Sequence, residues 1–247
     1  MKILKESSYS YLEGLKAKNK KRSYFAAGTG TVLLVIGFTL GNSWLILFGV
    51  ITMAISVPYL RRYLNAEAGI RGERTVTETL HNLDDSYHLV NDIQLAEGKG
   101  NIDHILISPK GIFCIETKNW TGDIRCNGDY WSKKGSQRIY PVASVSKQAW
   151  RNVSDLGRIL KQRNMSVPIM PICVFTNDLV RLRITRPTVP ILQVTELNQY
   201  IRNRKPMANL TEKQILSIAQ RILQESSNHA ILGRDEIEDA DVLTLNH

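Results

Sequence analysis

From Tyr24 to Leu60 the chain carries no charged residue. Two apolar runs, roughly 25–40 and 44–60, flank Gly41-Asn42-Ser43. Each run is about the minimum that crosses a bilayer as a helix, and together they are too long for one span. Gly-Asn-Ser is turn chemistry. The stretch 24–60 therefore reads as a two-helix transmembrane hairpin. Lys16, Lys18, Lys20, Lys21 and Arg22 precede it, and Arg61 and Arg62 follow it. Basic flanks stay cytoplasmic. The expectation is a multi-pass protein of the plasma (inner) membrane, with both termini in the cytoplasm and the turn outside. Tyr24, Trp44 and Tyr59, near the ends of the runs, suit an interfacial belt. A cleaved signal peptide would start earlier and be far shorter. A buried soluble hairpin is the remaining alternative.

A chain of 247 residues leaves room for one ordinary domain beside the hairpin. Its hydrophobic content of 43% is that of a globular protein. The net charge of +9 favours anionic partners, either nucleic acid or a phospholipid surface. Cys114, Cys126 and Cys173 are widely spaced and form no CxxC pair. That argues against structural zinc and for a reduced, cytosol-facing chain.

Residues 65–83 have helical periodicity, with Ile70, Val76, Thr77, Leu80 and Leu83 on one stripe. "YHLVNDIQL" (87–95), "IDHILIS" and "GIFCIETKN" read as strands, with "AEGKGN" a loop. Ser108-Pro109-Lys110-Gly111 fits a tight turn. "GDIRCNGDYW" holds a short strand or two. Residues 141–163 form an amphipathic helix with Val142, Val145, Ala149, Val153, Leu156 and Leu160 inside. "VPIMPICVF" (167–175) is hydrophobic throughout, as a strand buried on both faces is. A short strand and a helix follow. A last helix over 211–225 has Thr211 as its N-cap, and 235–241 form an acidic tail. The order helix, three strands, helix, strand makes an α/β domain with a mixed sheet flanked by helices.

"GIFCIETKNW" (111–120) is anomalous. A strand that reads as core ends in a carboxylate and an ammonium two residues apart. Burying such groups is costly unless they are paired, metal-bound or functional. A two-residue hairpin at Pro109-Lys110 pairs Ser108 with Gly111, Ile105 with Cys114 and Asp103 with Glu116. Opposed β-carbons lie about 5 Å apart, and like charges so placed repel. Alternation adds Lys118 to the same face and sends His104 to the other. A divalent cation between the acids resolves the repulsion. Oxygen ligands at that separation suit Mg²⁺ or Mn²⁺. Such an ion lowers the pKa of water beside it and offsets phosphate charge. Glu73, on the apolar stripe of the first helix, is a third acid able to reach the sheet edge. Gly69 and Gly72 cost a helix roughly 1 kcal/mol each and point to close approach by a backbone or a phosphate. Gln148 borders the apolar stripe of the later helix. Its neighbours Lys147, Arg151 and Arg158 form a basic face fit for a nucleic-acid backbone or merely for solvent. Trp120, Trp131 and Trp150 read as packing residues before base-stacking ones.

"GIRGE", "NIDHILISPKGIFCIETKNWTG" and "SVSKQAWRN" resemble the nuclease-related domain (NERD), a branch of the PD-(D/E)xK phosphodiesterase superfamily. The resemblance covers about 66–178. It implies a restriction-endonuclease-like fold, with Asp103 and Glu116 as metal ligands and Lys118 orienting the attacking water. Glu73 would be a further ligand or base, and Gln148 the polar residue of the second core helix. Asn101-Ile102 stand where the superfamily name has Pro before the Asp. The expected organisation is a basic cytoplasmic segment 1–23, the hairpin 24–60, a nuclease domain 65–205, and a C-terminal helix and tail 206–247. The expected function is metal-dependent cleavage of nucleic acid, DNA first, at the membrane. The alternatives are a non-cleaving module of the same fold that binds nucleic acid or protein, and a membrane scaffold.

Overall fold

The structure, a computed structural model, describes residues 1–95 and 101–227. The expected loop at 96–100 and the acidic stretch 235–241 lie outside the described residues. The chain divides into two compact units. One is Tyr9–Arg71, and the other joins Met1–Ser8 to Gly72 and everything after it.

The first unit holds helix α1 (Ser10–Leu40) and most of helix α2 (Ser43–Leu80), which contains Pro58. Helix α1 thus starts well before the first apolar run. Both helices are long and apolar enough to cross a bilayer. Gly41 ends α1 in the left-handed region (φ 62°), a conformation that glycine adopts without strain. The Asn42 side chain then accepts hydrogen bonds from the backbone N–H of Trp44 (3.0 Å) and Leu45 (3.2 Å), which caps α2. Glycines let the two helices approach closely. A Cβ on Gly30 would lie 2.9 Å from the Gly49 carbonyl oxygen, and one on Gly49 would lie 3.0 Å from that of Gly30. The large apolar side chains face outward, with Phe25 77%, Phe38 71% and Trp44 69% exposed. Helices in a soluble core bury such residues instead.

The second unit is built on a six-stranded sheet. Strand β1 (Lys2–Lys5) lies parallel to β2 (His88–Gln94), which is antiparallel to β3 (Asn101–Ser108). Strand β3 forms the expected hairpin with β4 (Gly111–Lys118). The parallel strands β8 (Ile169–Phe175) and β10 (Ile191–Gln193) complete the order β1-β2-β3-β4-β8-β10. Helix α3 (Val145–Lys161) and a last helix, α5 (212–227), cover one face. There Ile105, Ile107, Ile112 and Cys114 pack with Leu156, Leu160, Ile215, Ile218 and Ile222. The other face meets the last turns of α2 and helix α4 (Val194–Asn203) through Val76, Leu80, Leu106, Phe113, Ile115, Leu197 and Ile201. Thr211 caps α5 in exchange with Gln214.

A four-stranded sheet, not anticipated as a separate layer, joins β5 (Gly122–Asn127), β6 (Tyr130–Lys134), β7 (Ile139–Val142) and β9 (Val180–Thr185) in the order β7-β6-β5-β9. Its inner face packs Ile124, Cys126 and Trp131 on Val145, Ala149, Cys173 and Phe175. Residues 139–142 thus belong to a strand. The helix expected over 141–163 begins at Val145, capped by Ser144, and Val142 lies outside it. The second unit also takes in residues 1–8 and α5, at both ends of the expected 65–205. All three cysteines are free and buried. Trp120 and Trp131 pack on Phe175, whereas Trp150 is 46% exposed.

Candidate functional site

The β3–β4 hairpin keeps the register expected from its turn, through Ser108↔Gly111, Ile107↔Ile112, Ile105↔Cys114 and His104↔Ile115. The regular pairs end there, one residue short of Asp103 and Glu116. The Asp103 carboxylate accepts the Thr117 backbone N–H through Oδ2 at 2.7 Å. Glu116 lies under α3, where Asn152 reaches it, and the charges of Glu116 and Glu73 act on Asp103, so the carboxyls are neighbours. His104 lies on the opposite face, where its ring Nδ1 meets Asn91 Oδ1 at 2.8 Å. Burial pushes its pKa down to about 3, so the ring is neutral.

Glu116 is 1% exposed and both its oxygens are engaged. Lys118 Nζ donates to Oε1 at 2.5 Å and also to Gln148 Oε1 at 3.2 Å. Asn152 Nδ2 donates to Oε2 at 3.0 Å. Gln148 and Asn152 are four residues apart, so one stripe of α3 carries both over the sheet. Asn152 was not among the expected site residues, although its spacing from Gln148 was the available signal.

The carboxyls crowd one another. Burial, then the charges of Glu116 and Glu73, hold the Asp103 pKa well above its ordinary value. Burial raises that of Glu116, with Lys118 opposing. Glu73, half-buried on α2 and beyond the apolar run that ends at Leu60, is pushed up to about 7 by burial, then by Asp92 and Glu116. Burial alone would lower the Lys118 pKa, but Glu116 and Asp103 outweigh it and the ammonium keeps its charge.

Asp92 was also missed. The pairs Asn91↔His104 and Ile93↔Ile102 bracket it opposite Asp103. Its backbone is left-handed (φ 51°), an unusual conformation within a strand. Ser8 Oγ and Asn101 Nδ2 donate to its carboxylate at 2.5 and 2.6 Å, and Lys5 Nζ donates to its carbonyl. No local pattern announces it, because its partners come from β1, the residues just after it, and β3.

Other expectations fare differently. Gly72 meets protein: a Cβ there would lie 3.0 Å from both Asn119 Cβ and Thr176 Oγ1. A Cβ on Gly69 would meet only Leu12, at 3.3 Å. Arg151 is close enough for its charge to act on Glu116. Arg158 pairs with Asp155 at 2.7 Å, and Lys147 is exposed, where its charge acts on Asp129. The basic face of α3 is therefore not gathered at the carboxylates. Among the described residues no three or more His, Cys, Asp or Glu side chains form a ready ligand cluster.

The family model of the nuclease-related domain matches residues 68–176. That span runs from the last turns of α2 to the end of β8 and includes every candidate side chain from Glu73 to Asn152. An uncharacterised protein of Bacillus anthracis is 30% identical over 99 residues, which are 37% of this chain and 44% of the relative. The chain thus matches less than half the length of that relative. No solved structure matches. The chain carries a nuclease-related domain over residues 68–176.

Proposed function

We propose that this chain is a divalent-cation-dependent nuclease that hydrolyses phosphodiester bonds of nucleic acid, DNA in the first instance. On this reading the sheet and its helices are restriction-endonuclease-like, and α1 and α2 anchor the domain to the cytoplasmic side of the inner membrane. The carrying observation is buried Glu116 held by Lys118 and Asn152, with Gln148 on Lys118 and with Asp103 close enough for the Glu116 charge to act on it.

The residues fit a hard dication. Asp103, Glu116 and Glu73 are three acids close enough for their charges to act on one another, with one ammonium, Lys118, among them. Mg²⁺ is commonly held by one or two carboxylates, with water and substrate phosphate completing its shell, so no larger cluster is required. Asp103 and Glu116 would hold Mg²⁺ or Mn²⁺, which supplies positive charge against the scissile phosphate. Thr117 and Asn152 fix the two carboxylates in place. Lys118 orients the attacking water and balances developing negative charge. Glu73, poised near neutrality, accepts the proton that the water loses at its carboxylate oxygen. Basic flanks, outward apolar side chains and the Gly30–Gly49 approach support the anchor.

A non-cleaving binding module of the same fold is the second reading. It is favoured by the occupation of both Glu116 oxygens by Lys118 and Asn152. One experiment separates the two. The full chain in neutral detergent is incubated with labelled linear, nicked and single-stranded DNA, with EDTA, Mg²⁺ or Mn²⁺. Cation-dependent cleavage that vanishes in Asp103→Asn and Glu116→Gln, both still folded, supports the nuclease. Binding without cleavage under every condition selects the module. Deleting residues 1–62 to obtain a soluble fragment would also strip β1 from the sheet.

A further inference from the structure

The four-stranded sheet has one face packed on the core and an outer face on which Arg181, Arg183 and Tyr130 are exposed around half-buried Arg125 and buried Ser132. Alternation along β5, β6 and β9 puts Ile124, Cys126 and Trp131 inside and Arg125, Lys134, Arg181 and Arg183 outside. The ladder pairs Arg125 with Arg183 across neighbouring parallel strands. Strands lie about 4.8 Å apart, so these two side chains leave the sheet side by side, and like charges so placed are unfavourable. Arg125 Nε is buried and has no hydrogen-bond partner among the described residues. The acid on this face is Asp123, which already accepts Arg181 Nε at 2.7 Å. Arg181, Arg183 and Lys134 all lower the Asp123 pKa, the hydrogen bond from Arg181 most, so the cations are gathered around it. Tyr130, 63% exposed, ends the same face beside Asn127.

This face is tied to the carboxylate site through the backbone. Only Asn119, Trp120 and Thr121 separate Lys118, the end of β4, from Gly122, the start of β5. Strand β8 continues into β9 in the same way, past Phe175.

We propose that the outer face of the four-stranded sheet docks a nucleic-acid strand, with one backbone phosphate seated between Arg125 and Arg183. The choice of polyanion rests on the nuclease reading above; the need for an anion does not. Two arginines facing each other over an unpartnered N–H form a fork for phosphate oxygens. The exposed ring of Tyr130 offers a base a stacking surface. The surface carries no sequence-reading element, so binding is independent of sequence.

The test is fluorescence anisotropy of labelled single-stranded and duplex DNA with the full chain in neutral detergent. EDTA is present so that nothing is cut, and the titration is repeated across a salt series. Arg125→Gln/Arg183→Gln should weaken duplex binding about tenfold at low salt and lower the salt slope by about 0.9 for each phosphate no longer neutralised. Arg183→Gln alone, an exposed change, should give part of the loss if the double variant folds poorly. Arg125→Lys/Arg183→Lys should recover some of it. Lys161→Gln/Arg163→Gln, away from this sheet, should bind as the wild type does. Unchanged affinity and slope in the arginine variants overturn the proposal. So does an equal loss in the Lys161/Arg163 control, or arginine-dependent binding of mixed phosphatidylserine–detergent micelles but not DNA. A wild type that cleaves while the arginine variants bind normally sinks this surface and leaves the nuclease reading intact. Arginine-dependent binding by a chain that never cleaves does the reverse.

Discussion

Glu73→Gln is expected to stabilise the chain above neutral pH. The Glu73 carboxyl has an ordinary pKa of 4.5, and burial, Asp92 and Glu116 push it up to about 7. Below pH 4.5 folded and unfolded chains both hold the proton. As the pH rises from there to about 7, the unfolded chain ionises while the folded one keeps its proton, so stability falls. Above that window both are ionised, and about 3 kcal/mol has been lost at this side chain. Glutamine has no proton to lose and keeps the shape. Asp103 and Glu116, raised for related reasons, add losses of the same sign that the variant retains. The assay is urea unfolding of the full chain in neutral detergent with EDTA, at about pH 5 and about pH 8. Near-ultraviolet dichroism of Trp120 and Trp131, packed on Phe175, reports this unit. Part of the loss already lies below about pH 5, so the wild type should lose about 2.5 kcal/mol more than Glu73→Gln between the two conditions. Added Mg²⁺ should return much of the wild-type loss. Equal losses in the two proteins would refute the idea that Glu73 is crowded by buried acids.

Three further outcomes follow from particular side chains. Asn152→Ala leaves Glu116 Oε2 buried without its donor, so unfolding should become easier by about 1.5–3 kcal/mol; Gln148→Ala should cost less, because Lys118 still holds Glu116, and urea titration ranks the two. Gly72→Ala gains about 1 kcal/mol of helix propensity but crowds Asn119 Cβ and Thr176 Oγ1, where overpacking costs about 1–3 kcal/mol. A net loss in the same titration is expected, and a gain would show that the neighbours yield. Gly49→Leu sets a side chain against the Gly30 carbonyl, which cannot move aside, and should lower the thermal midpoint of the hairpin in detergent.

The parts legible in the sequence were those fixed by neighbours. Pro109-Lys110 closes a short turn, and the turn alone sets the pairing down to His104↔Ile115. Gly41-Asn42 likewise announces its own geometry. What escaped depends on distant partners. Lys2–Lys5 is a short charged stretch whose strand character exists only beside His88–Val90. Arg125 and Arg183 face each other through a parallel pairing far apart in the chain, which no window of local periodicity contains. Asp92 has a left-handed backbone that no local residue pattern announces, and its carboxylate is held by Ser8 and Asn101, the former far away in the chain. Val142 continues the apolar stripe of α3 while belonging to an exposed strand, so periodicity extends the helix past its true start at Val145.

The sealed thiols make this chain its own stopwatch. Cys114, Cys126 and Cys173 are 1%, 2% and 0% exposed, and burial raises the pKa of each. A maleimide therefore finds nothing to modify until a segment breathes. Cys173 lies beside Glu116 in the ladder and Cys126 lies in the small sheet. Mapping which sulfur is alkylated first, and how a cation or DNA delays it, clocks the opening of each region in a wild-type protein with no engineered label.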